Sequence, residues 1–471
     1  MVFSSSIFLF VFLPVFLAIY YVVPQRWRNL TIVVGSYVFY GWWRLDFLAL
    51  LFATTVWNYV LGLRIVAAPS KESSKRWLIL AVIGNLAVLG YFKYMNFFAA
   101  SFSDAFLGGA QLSPLFANII LPIGVSFFVF QAISYVVDLY RGDAKHADNF
   151  IDFAAFKALF PQLVAGPVLR YKDLEDQFAN RTHTFEKFGE GATRFLQGLA
   201  RKVLIADTAA PIADMFFSAP DPTFLESWLG CIAYAIQLYF DFSGYSSMAI
   251  GLGLMMGFRF TENFRYPYIS RSITEFWRRW HISLSAWLRD YLYIPLGGNR
   301  KGTFRTYLNL FLTMLLGGIW HGANWTFVIW GAWHGGLLAI ERALGVKGNE
   351  QRPLWAWAMT MLFVAVGWVL FRAHDLGGAI DMYQGMLGFS GFAVRDLYAW
   401  QISGLSLFGV ALGIVVCAVE PWFDPKAAVG NAVDAVTRRY AYLSMAASVF
   451  GVLAIGKLVA ESDSPFLYFQ F

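Results

Sequence analysis

The sequence predicts an all-α polytopic membrane protein, a single bundle of roughly 11 to 13 transmembrane or re-entrant helices. Three observations lead to this prediction. Of the 471 residues, 58% are hydrophobic and only 14% are charged, whereas a soluble domain carries about 25% charged residues. Apolar runs long enough to cross a bilayer follow one another with short breaks. Aromatic residues make up 19% of the chain and add to its apolar character.

The individual spans follow from the length rule, because about 20 apolar residues cover the hydrocarbon core. In chain order they lie near residues 7–24, 29–45, 47–63, 77–98, 116–140, 151–169, 192–216, 224–257, 306–345, 354–373, 404–420 and 441–460. The runs 224–257 and 306–345 exceed one crossing, so each predicts two helices or a broken one. Neither an internal repeat nor a linker rich in Pro or Ser divides the chain, which predicts one membrane-embedded domain over 1–471.

The first span is expected to remain as an anchor, because no basic residue precedes it and no small-x-small cleavage site follows it. The two cysteines, Cys231 and Cys417, lie in apolar segments. Their spacing offers neither a disulfide framework nor a metal site. We therefore expect them to be small core residues, and we expect no bound metal.

The basic residues predict an orientation. They follow the first and third spans at Arg26, Arg28, Arg64, Lys71, Lys75 and Arg76, whereas the loop 99–114 has none. Because cytoplasmic loops carry the excess of Lys and Arg, the first and third loops are expected in the cytoplasm and the N-terminus in the periplasm.

The segment 259–307 holds nine basic and three acidic residues, an excess equal to that of the whole chain, 36 basic over 30 acidic. It is expected at the cytoplasmic face, where it orients the protein and contacts anionic lipid head groups. It is also suited to attract an anionic donor such as a phosphorylated thioester carrier. Within it, 276–293 has the periodicity of one amphipathic interfacial helix. Its apolar face carries Trp277, Trp280, His281, Leu284, Trp287, Leu288 and Tyr291.

His321 is the most informative residue, because it lies in an apolar run and a titratable group in hydrocarbon usually faces a cavity or a partner. The structural alternative is a buried histidine bonded to a backbone carbonyl. His281, 40 residues earlier, is expected near the cytoplasmic surface but directed toward the protein, and His334 is a third candidate. The remaining histidines are expected to be solvated or interfacial: His146, His183 and His374.

Four sequence blocks carry a family resemblance. They are 160–167 (FPQLVAGP), 239–246 (YFDFSGYS), 279–293 and 320–324 (WHGAN). Together they resemble the membrane-bound O-acyltransferase family, and within it the bacterial subgroup that acetylates exopolysaccharides. The likeness covers essentially the whole chain. It implies a bundle with a central channel that passes acetyl groups across the inner membrane to a secreted polysaccharide, with alginate the acceptor that fits best.

The resemblance also implies roles for residues. The histidine of the Trp-His-Gly block is the family's catalytic residue, which corresponds to His321, and His281 is expected to line the acyl-donor side of the channel. Further channel candidates from these blocks are Trp280, Trp287, Arg289, Asp290, Tyr291, Trp320, Asn324 and His334. If the helix continues past His321, Asn324 lies one turn away and is placed to donate to an oxyanion. Helix packing is the alternative role for Asn324.

A mechanism follows, because burial disfavours the charged imidazole and leaves it able to take a proton from an attacking hydroxyl. The expected donor is acetyl-CoA or an acetylated carrier, with no bound cofactor. Expected partners are periplasmic esterase-like O-acetyltransferases, a polysaccharide biosynthesis and secretion complex and the lipid bilayer, and no nucleic acid. Cellulose or another exopolysaccharide is the alternative acceptor, and D-alanyl transfer to teichoic acids is a more distant relation.

Two other classes of function compete with the enzyme. Apolar spans with Gly-rich breaks also suit a transporter, although the sequence has no inverted repeat and few intramembrane carboxylates, Asp241 being the exception. A membrane scaffold for a secretion complex is the third class.

Overall fold

The computed structural model describes residues 1–108, 116, 118–348, 352–423 and 433–460. Over these residues the chain is helical and forms no strand, so the predicted all-α class is confirmed. The described residues divide into two compact units. The first comprises Met1–Ala192 and Ala249–Thr261, and the second comprises Thr193–Met248 and the residues from Glu262 onward. The single acyltransferase domain over 1–471 stays a prediction.

The first unit contains nine α-helices and the beginning of a tenth within its described residues. They are α1 (Leu13–Val22), α2 (Arg28–Gly41), α3 (Asp46–Val66), α4 (Lys71–Leu89), α5 (Met95–Phe106), α6 (Val125–Arg141), α7 (Phe150–Ala158), α8 (Phe160–Leu163), α9 (Tyr171–Asn180) and the start of α10 (Phe185–Ala200). π-helical turns at Phe8–Phe12 and Gly90–Tyr94 continue into α1 and α5.

The second unit contains the helices that position the candidate site. They are the end of α10, α11 (Asp207–Phe217), α12 (Phe224–Met255), α13 (Ile273–Arg279), α14 (Ile282–Leu288), α15 (Thr303–His321), α16 (Trp325–Ala343), α17 (Leu354–Arg372), α18 (Leu376–Met386), α19 (Asp396–Ala399), α20 (Gly404–Val419) and α21 (Val433–Ala460). α10 and α12 each contribute residues to both units.

Four helical stretches are long and apolar enough to cross a membrane: Asp46–Val66, Lys71–Phe106, Leu354–Arg372 and Gly404–Trp422. They coincide with the runs predicted near 47–63, 77–98, 354–373 and 404–420. Of the two runs that were too long for one crossing, only 306–345 divides as predicted. The run 306–345 is the pair α15 and α16, whereas 224–257 is one unbroken helix of 32 residues. The run 151–169 forms only α7 and α8, whose 9 and 4 residues are each too short to cross the bilayer.

α15 and α16 form a tightly packed helical hairpin whose tip is residues 322–324. Three glycines allow their backbones to approach. A Cβ on Gly318 would lie 2.4 Å from the carbonyl oxygen of Phe327, and one on Gly331 would lie 2.6 Å from that of Met314. Gly335 makes a similar approach to the backbone of Phe311. Small residues at such an interface bring helices into close contact, and here they hold the end of α15, where His321 lies.

The single helix predicted over 276–293 is wrong. α13 ends at Arg279, α14 begins at Ile282, and a π-helical turn follows over Arg289–Tyr293. At the break His281 has a φ of +43°, a left-handed conformation that no α-helix contains. The spacing of apolar residues continues across the break, because α14 begins with its apolar face still buried. Periodicity alone therefore does not reveal the interruption.

Candidate active site

His281 and His321 lie side by side in the interior of the second unit. Their ring centroids are 6.5 Å apart with an interplanar angle of 60°. His281 is fully buried and His321 is 6% exposed. The sequence predicted His281 near the cytoplasmic surface and His321 deep in the membrane. That separation is wrong, because the break after α13 turns His281 inward to the end of α15.

Asn263 holds the ring of His281. Nδ1 of His281 lies 3.0 Å from Oδ1 of Asn263, and the same oxygen accepts from the backbone N–H and the hydroxyl of Ser283. Within the described residues, the buried Nε2 of His281 has no hydrogen-bond partner. His281 therefore presents one anchored nitrogen and one nitrogen available to a substrate.

Aromatic rings surround His321. The ring centroids of Trp320, Trp330 and Phe371 lie 5.0, 5.1 and 5.2 Å from that of His321. Trp320 also lies 6.4 Å from His281. Such apolar walls lower the local dielectric, which strengthens electrostatic interactions inside the site.

His334 is a third member of this cluster. Its ring lies 5.0 Å from Trp330 and 5.2 Å from Trp277. It is fully buried, and neither ring nitrogen has a hydrogen-bond partner among the residues that the structure describes. Gly367 makes room for it, because a Cβ there would lie 2.6 Å from Nε2 of His334. Trp330 thus lies between His321 and His334.

The start of α13 is fixed to α16. The carboxylate of Glu341 accepts from the backbone N–H groups of Ile273 and Thr274 at 2.7 and 2.8 Å, and Ser272 caps the same helix by accepting from Glu275. Helix N-termini carry unsatisfied N–H groups that favour such partners. This attachment holds α13, with Trp277, against the helix that carries His334.

Trp280 joins an aromatic wall beside the histidines. Its ring lies 4.9 Å from Trp368 and 5.0 Å from Phe264. Trp368 in turn stacks on Trp330 at 6.4 Å. Trp280 is buried, so it contributes to the apolar interior rather than to a ring of tryptophans at the lipid head groups.

The other predicted channel residues lie further along α14 and the π-helical turn. Trp287 packs on Tyr291 with ring centroids 5.2 Å apart. Arg289 donates to Asp290 at 2.7 Å, and its side chain is 62% exposed. An exposed guanidinium paired with its neighbour is at the surface, so Arg289 does not belong to the buried histidine cluster.

Asn324 caps a helix. α15 ends at His321, and the side chain of Asn324 accepts from the backbone N–H of Thr326 at 3.0 Å as the N-cap of α16. Its Nδ2 donates to the carbonyl of His374 at 2.9 Å. The helix does not continue past His321, so Asn324 does not lie one helical turn beyond it. The alternative role in helix structure is supported by these bonds, and the oxyanion role stays a prediction.

The remaining histidines lie outside the cluster. His374 has a fully exposed side chain beside Asp375, as expected of an interfacial residue. His183 is not simply solvated: Arg28 and Tyr20 hydrogen-bond its two ring nitrogens at 2.9 and 3.0 Å. Burial, and then the adjacent arginine charges, lower the pKa of His183 to about 4. It is a neutral structural residue of the first unit. His146 is half-buried, with Nδ1 2.7 Å from the carbonyl of Ala147.

Asp241, the intramembrane carboxylate that would fit a transporter, is paired with a lysine. Nζ of Lys202 lies 3.1 Å from Asp241 and 2.5 Å from Asp207, and Lys202 is 2% exposed. Buried charges are paired in this way, so Asp241 is occupied by Lys202 and does not form an open ion site. Within the described residues, no group of three or more His, Cys, Asp or Glu side chains is arranged to hold a metal.

Several residues around the histidines were not singled out from sequence. Asn263, Trp330 and the α17 pair Trp368 and Phe371 come from three separate segments, and only folding brings them together. Asn263 offered the one usable signal, since it is an asparagine in an aromatic-rich stretch, Asn263-Phe264-Arg265-Tyr266. Asparagine is favoured in turns and caps because its side chain hydrogen-bonds backbone groups in place of helical bonds. Asn263 does this at the break between α13 and α14.

Comparison with known proteins places this geometry in context. Residues 144–376 match the membrane-bound O-acyltransferase family, a range that contains His281, His321 and His334. The chain is 55% identical to the probable alginate O-acetylase AlgI of Pseudomonas putida and 51% identical to that of Pseudomonas aeruginosa, over the full length of each protein. It is 36% identical to the peptidoglycan O-acetyltransferase of Helicobacter pylori, over 84% of this chain and 82% of that protein.

Proposed function

The chain belongs to the membrane-bound O-acyltransferase family, and from that premise we propose that it transfers acetyl groups from a cytoplasmic thioester to the hydroxyl groups of secreted alginate. The acceptor follows from the relatives named as probable alginate O-acetylases, which match this chain over its whole length. The observation that carries the site is the pair His281 and His321, buried with ring centroids 6.5 Å apart.

His321 is the general base of the transfer. The acceptor hydroxyl oxygen attacks the acetyl carbonyl of the thioester while His321 takes the hydroxyl proton. The tetrahedral intermediate then collapses, the C–S bond breaks, and the imidazolium returns the proton to the leaving sulfur. The products are an O-acetyl ester and a free thiol. General acid–base catalysis of this kind contributes roughly 10²–10⁴-fold, and the aromatic rings packed around His321 support a buried site for it.

His281 serves the donor side of the same centre. The ring centroids of His281 and His321 are 6.5 Å apart, and this proximity supports a shared centre for the two histidines. The buried Nε2 of His281 supports this role, because among the described residues it has no hydrogen-bond partner. Trp280, Trp320 and His334 line the apolar passage that leads to the pair.

The protein lies in the bacterial inner membrane with its N-terminus in the periplasm and about 11 to 13 crossings or re-entrant pieces, following the length rule. Four apolar helices support the membrane location, and the distribution of Lys and Arg supports the orientation. The basic segment 259–307 faces the cytoplasm. Arg259 and Arg289 have side chains that are 65% and 62% exposed, and exposed basic side chains of a cytoplasmic segment contact anionic lipid head groups.

The donor is acetyl-CoA or an acetylated carrier, both thioesters of an anionic molecule. The immediate acceptor is a sugar hydroxyl or the serine of a periplasmic esterase-like partner within the polysaccharide secretion complex. A partner is needed if a serine is acetylated first, since the chain itself has no G-x-S-x-G nucleophile motif. Cellulose or another exopolysaccharide is the alternative acceptor, which the similarity to a peptidoglycan O-acetyltransferase supports.

His321→Ala tests the proposal. We expect the variant to insert at normal abundance while the O-acetyl content of the secreted polymer falls to background, because the general base is lost. His374→Ala is the matched control, since it removes an imidazole whose side chain is fully exposed and outside the cluster. Mass analysis of the polymer, normalised to the protein level in the membrane, measures both. Full acetylation in His321→Ala would refute the proposed role.

A further inference from the structure

We propose that Asn263 is the positioning residue that fixes the tautomer of His281, so that Nδ1 carries the proton and Nε2 presents a lone pair to the substrate. The effect of this tautomer on catalysis rests on the proposed acyl-transfer function of His281. The tautomer itself follows from the geometry of Asn263 and can be measured without any substrate.

The backbone around Asn263 is held against the break between α13 and α14. The N–H of Ile282 donates to the carbonyl of Asn263 at 2.9 Å, and the N–H of Arg265 donates to the carbonyl of Arg279 at 2.8 Å. These two bonds replace helical bonds that the break removes. Asn263 is 1% exposed, so its side chain has little freedom to leave this position.

The orientation of the amide is set by a group that can only donate. The backbone N–H of Ser283 lies 3.3 Å from Oδ1 of Asn263. A flipped amide would oppose this N–H with a second donor, so the flip that is ambiguous for many asparagines is decided here. Nδ2 then donates to the hydroxyl of Ser246 at 3.0 Å. Asn263 thereby caps α14 from outside, as an N-cap side chain does.

The tautomer of His281 follows from this orientation. An amide oxygen only accepts, so Nδ1 of His281, 3.0 Å away, carries the proton. A neutral imidazole has one N–H, which leaves the lone pair on Nε2. Complete burial of His281 disfavours the doubly protonated ring. Nε2 has no hydrogen-bond partner in the described part of the chain, and an unsatisfied buried acceptor is costly.

The consequence is a choice between accepting and donating. With Asn263 in place, Nε2 of His281 accepts from an N–H or O–H group of a substrate. In the opposite tautomer Nε2 would donate and would repel such a group. Asn263 does not touch the reacting atoms, and it acts only through the ring that it orients.

Two variants of similar size separate positioning from packing. Asn263→Asp keeps an acceptor for both His281 and Ser283, whereas Asn263→Leu removes it. Ser246→Ala is the control, because it removes the other bond of the amide without touching His281. In inner-membrane vesicles of the host supplied with labelled acetyl-CoA, we expect Asn263→Leu to lower the rate of polymer acetylation about 10²-fold, in the range of acid–base contributions. The Asp variant and the control should retain most of the rate.

Solid-state ¹⁵N NMR of the full-length protein, labelled at histidine and reconstituted in liposomes, reads the tautomer directly. His281→Gln identifies the His281 signals by difference. We expect a protonated Nδ1 and an unprotonated Nε2 in the wild type and in Asn263→Asp, and loss of this pattern in Asn263→Leu. A protonated Nε2 in the wild type would overturn the inference even if Asn263→Leu does not fold. Unchanged tautomer and rate in Asn263→Leu would also overturn it. If the wild-type protein shows the expected tautomer but transfers no acetyl group, the positioning of His281 by Asn263 is supported. The proposed acetyl-transfer function is then refuted instead.

Discussion

Gly318→Ala is expected to reduce acetyl transfer far more than it reduces stability. A Cβ at this position would lie 2.4 Å from the carbonyl oxygen of Phe327, whereas ordinary contacts begin at 3.4 Å. The backbones of α15 and α16 must therefore separate by about 1.0 Å, the difference between these two distances. Gly318 lies one turn before His321, so the ring of His321 moves with the end of α15.

The two effects of this substitution have different sizes. Overpacking costs about 1–3 kcal/mol, and the helix preference of Ala over Gly returns about 1 kcal/mol, so the net loss of stability is of order 1 kcal/mol. A misplacement of about 1 Å at a reacting group costs roughly 10²-fold in rate. We therefore expect a folded protein with a modestly lower melting temperature and about a hundredth of the wild-type acetylation rate.

Gly336→Ala is the matched control for Gly318→Ala. Gly336 lies on α16 in the same hairpin, but a Cβ there meets nothing within 4 Å. We expect it to be neutral or to stabilise by up to about 1 kcal/mol, with an unchanged rate. Polymer acetylation by membrane vesicles and thermal unfolding in detergent measure the two quantities. Equal rates in Gly318→Ala and Gly336→Ala would show that the spacing of the hairpin does not position His321.

Two further predictions follow from caps and buried polar groups. Asn324→Ala should destabilise the protein by about 0.5–2 kcal/mol through loss of the N-cap. Asn324→Asp still accepts from Thr326 and should keep both stability and acetylation. A severe loss of acetylation rate in a stable Asp variant would support an oxyanion role for the amide. Because the pKa of His183 is lowered to about 4 in the folded protein from about 6.5 in an unfolded chain, protonation favours the unfolded chain as the pH falls from about 6.5 toward 4. Stability should decrease over that window, and His183→Gln should flatten the decrease in thermal unfolding measured against pH; an identical pH dependence in the variant would contradict this account.

Periodicity identified helices well and interruptions poorly. The run 306–345 was too long for one crossing, and the structure resolves it into α15 and α16 with His321 at the end of the first. The break at His281 was missed because α13 and α14 keep the same apolar spacing on both sides of it. The cause of the break lies elsewhere in the chain, in the backbone of Asn263 and Arg265. No window centred on 276–293 contains that information.

The sequence by itself determined the helical membrane class and the close similarity to a family of acyltransferases, because composition, apolar length and short motifs are local properties. It also singled out His281 and His321 as candidates. Only the tertiary structure decided that the two histidines meet, that Asn324 is a helix cap and that Asn263 holds the ring of His281. The physical reason is that the contacts of His281 with Asn263 and His321 join residues 18 and 40 positions apart, and their geometry depends on how closely whole helices pack. The cap by Asn324 is local, but it forms only because α15 ends at His321.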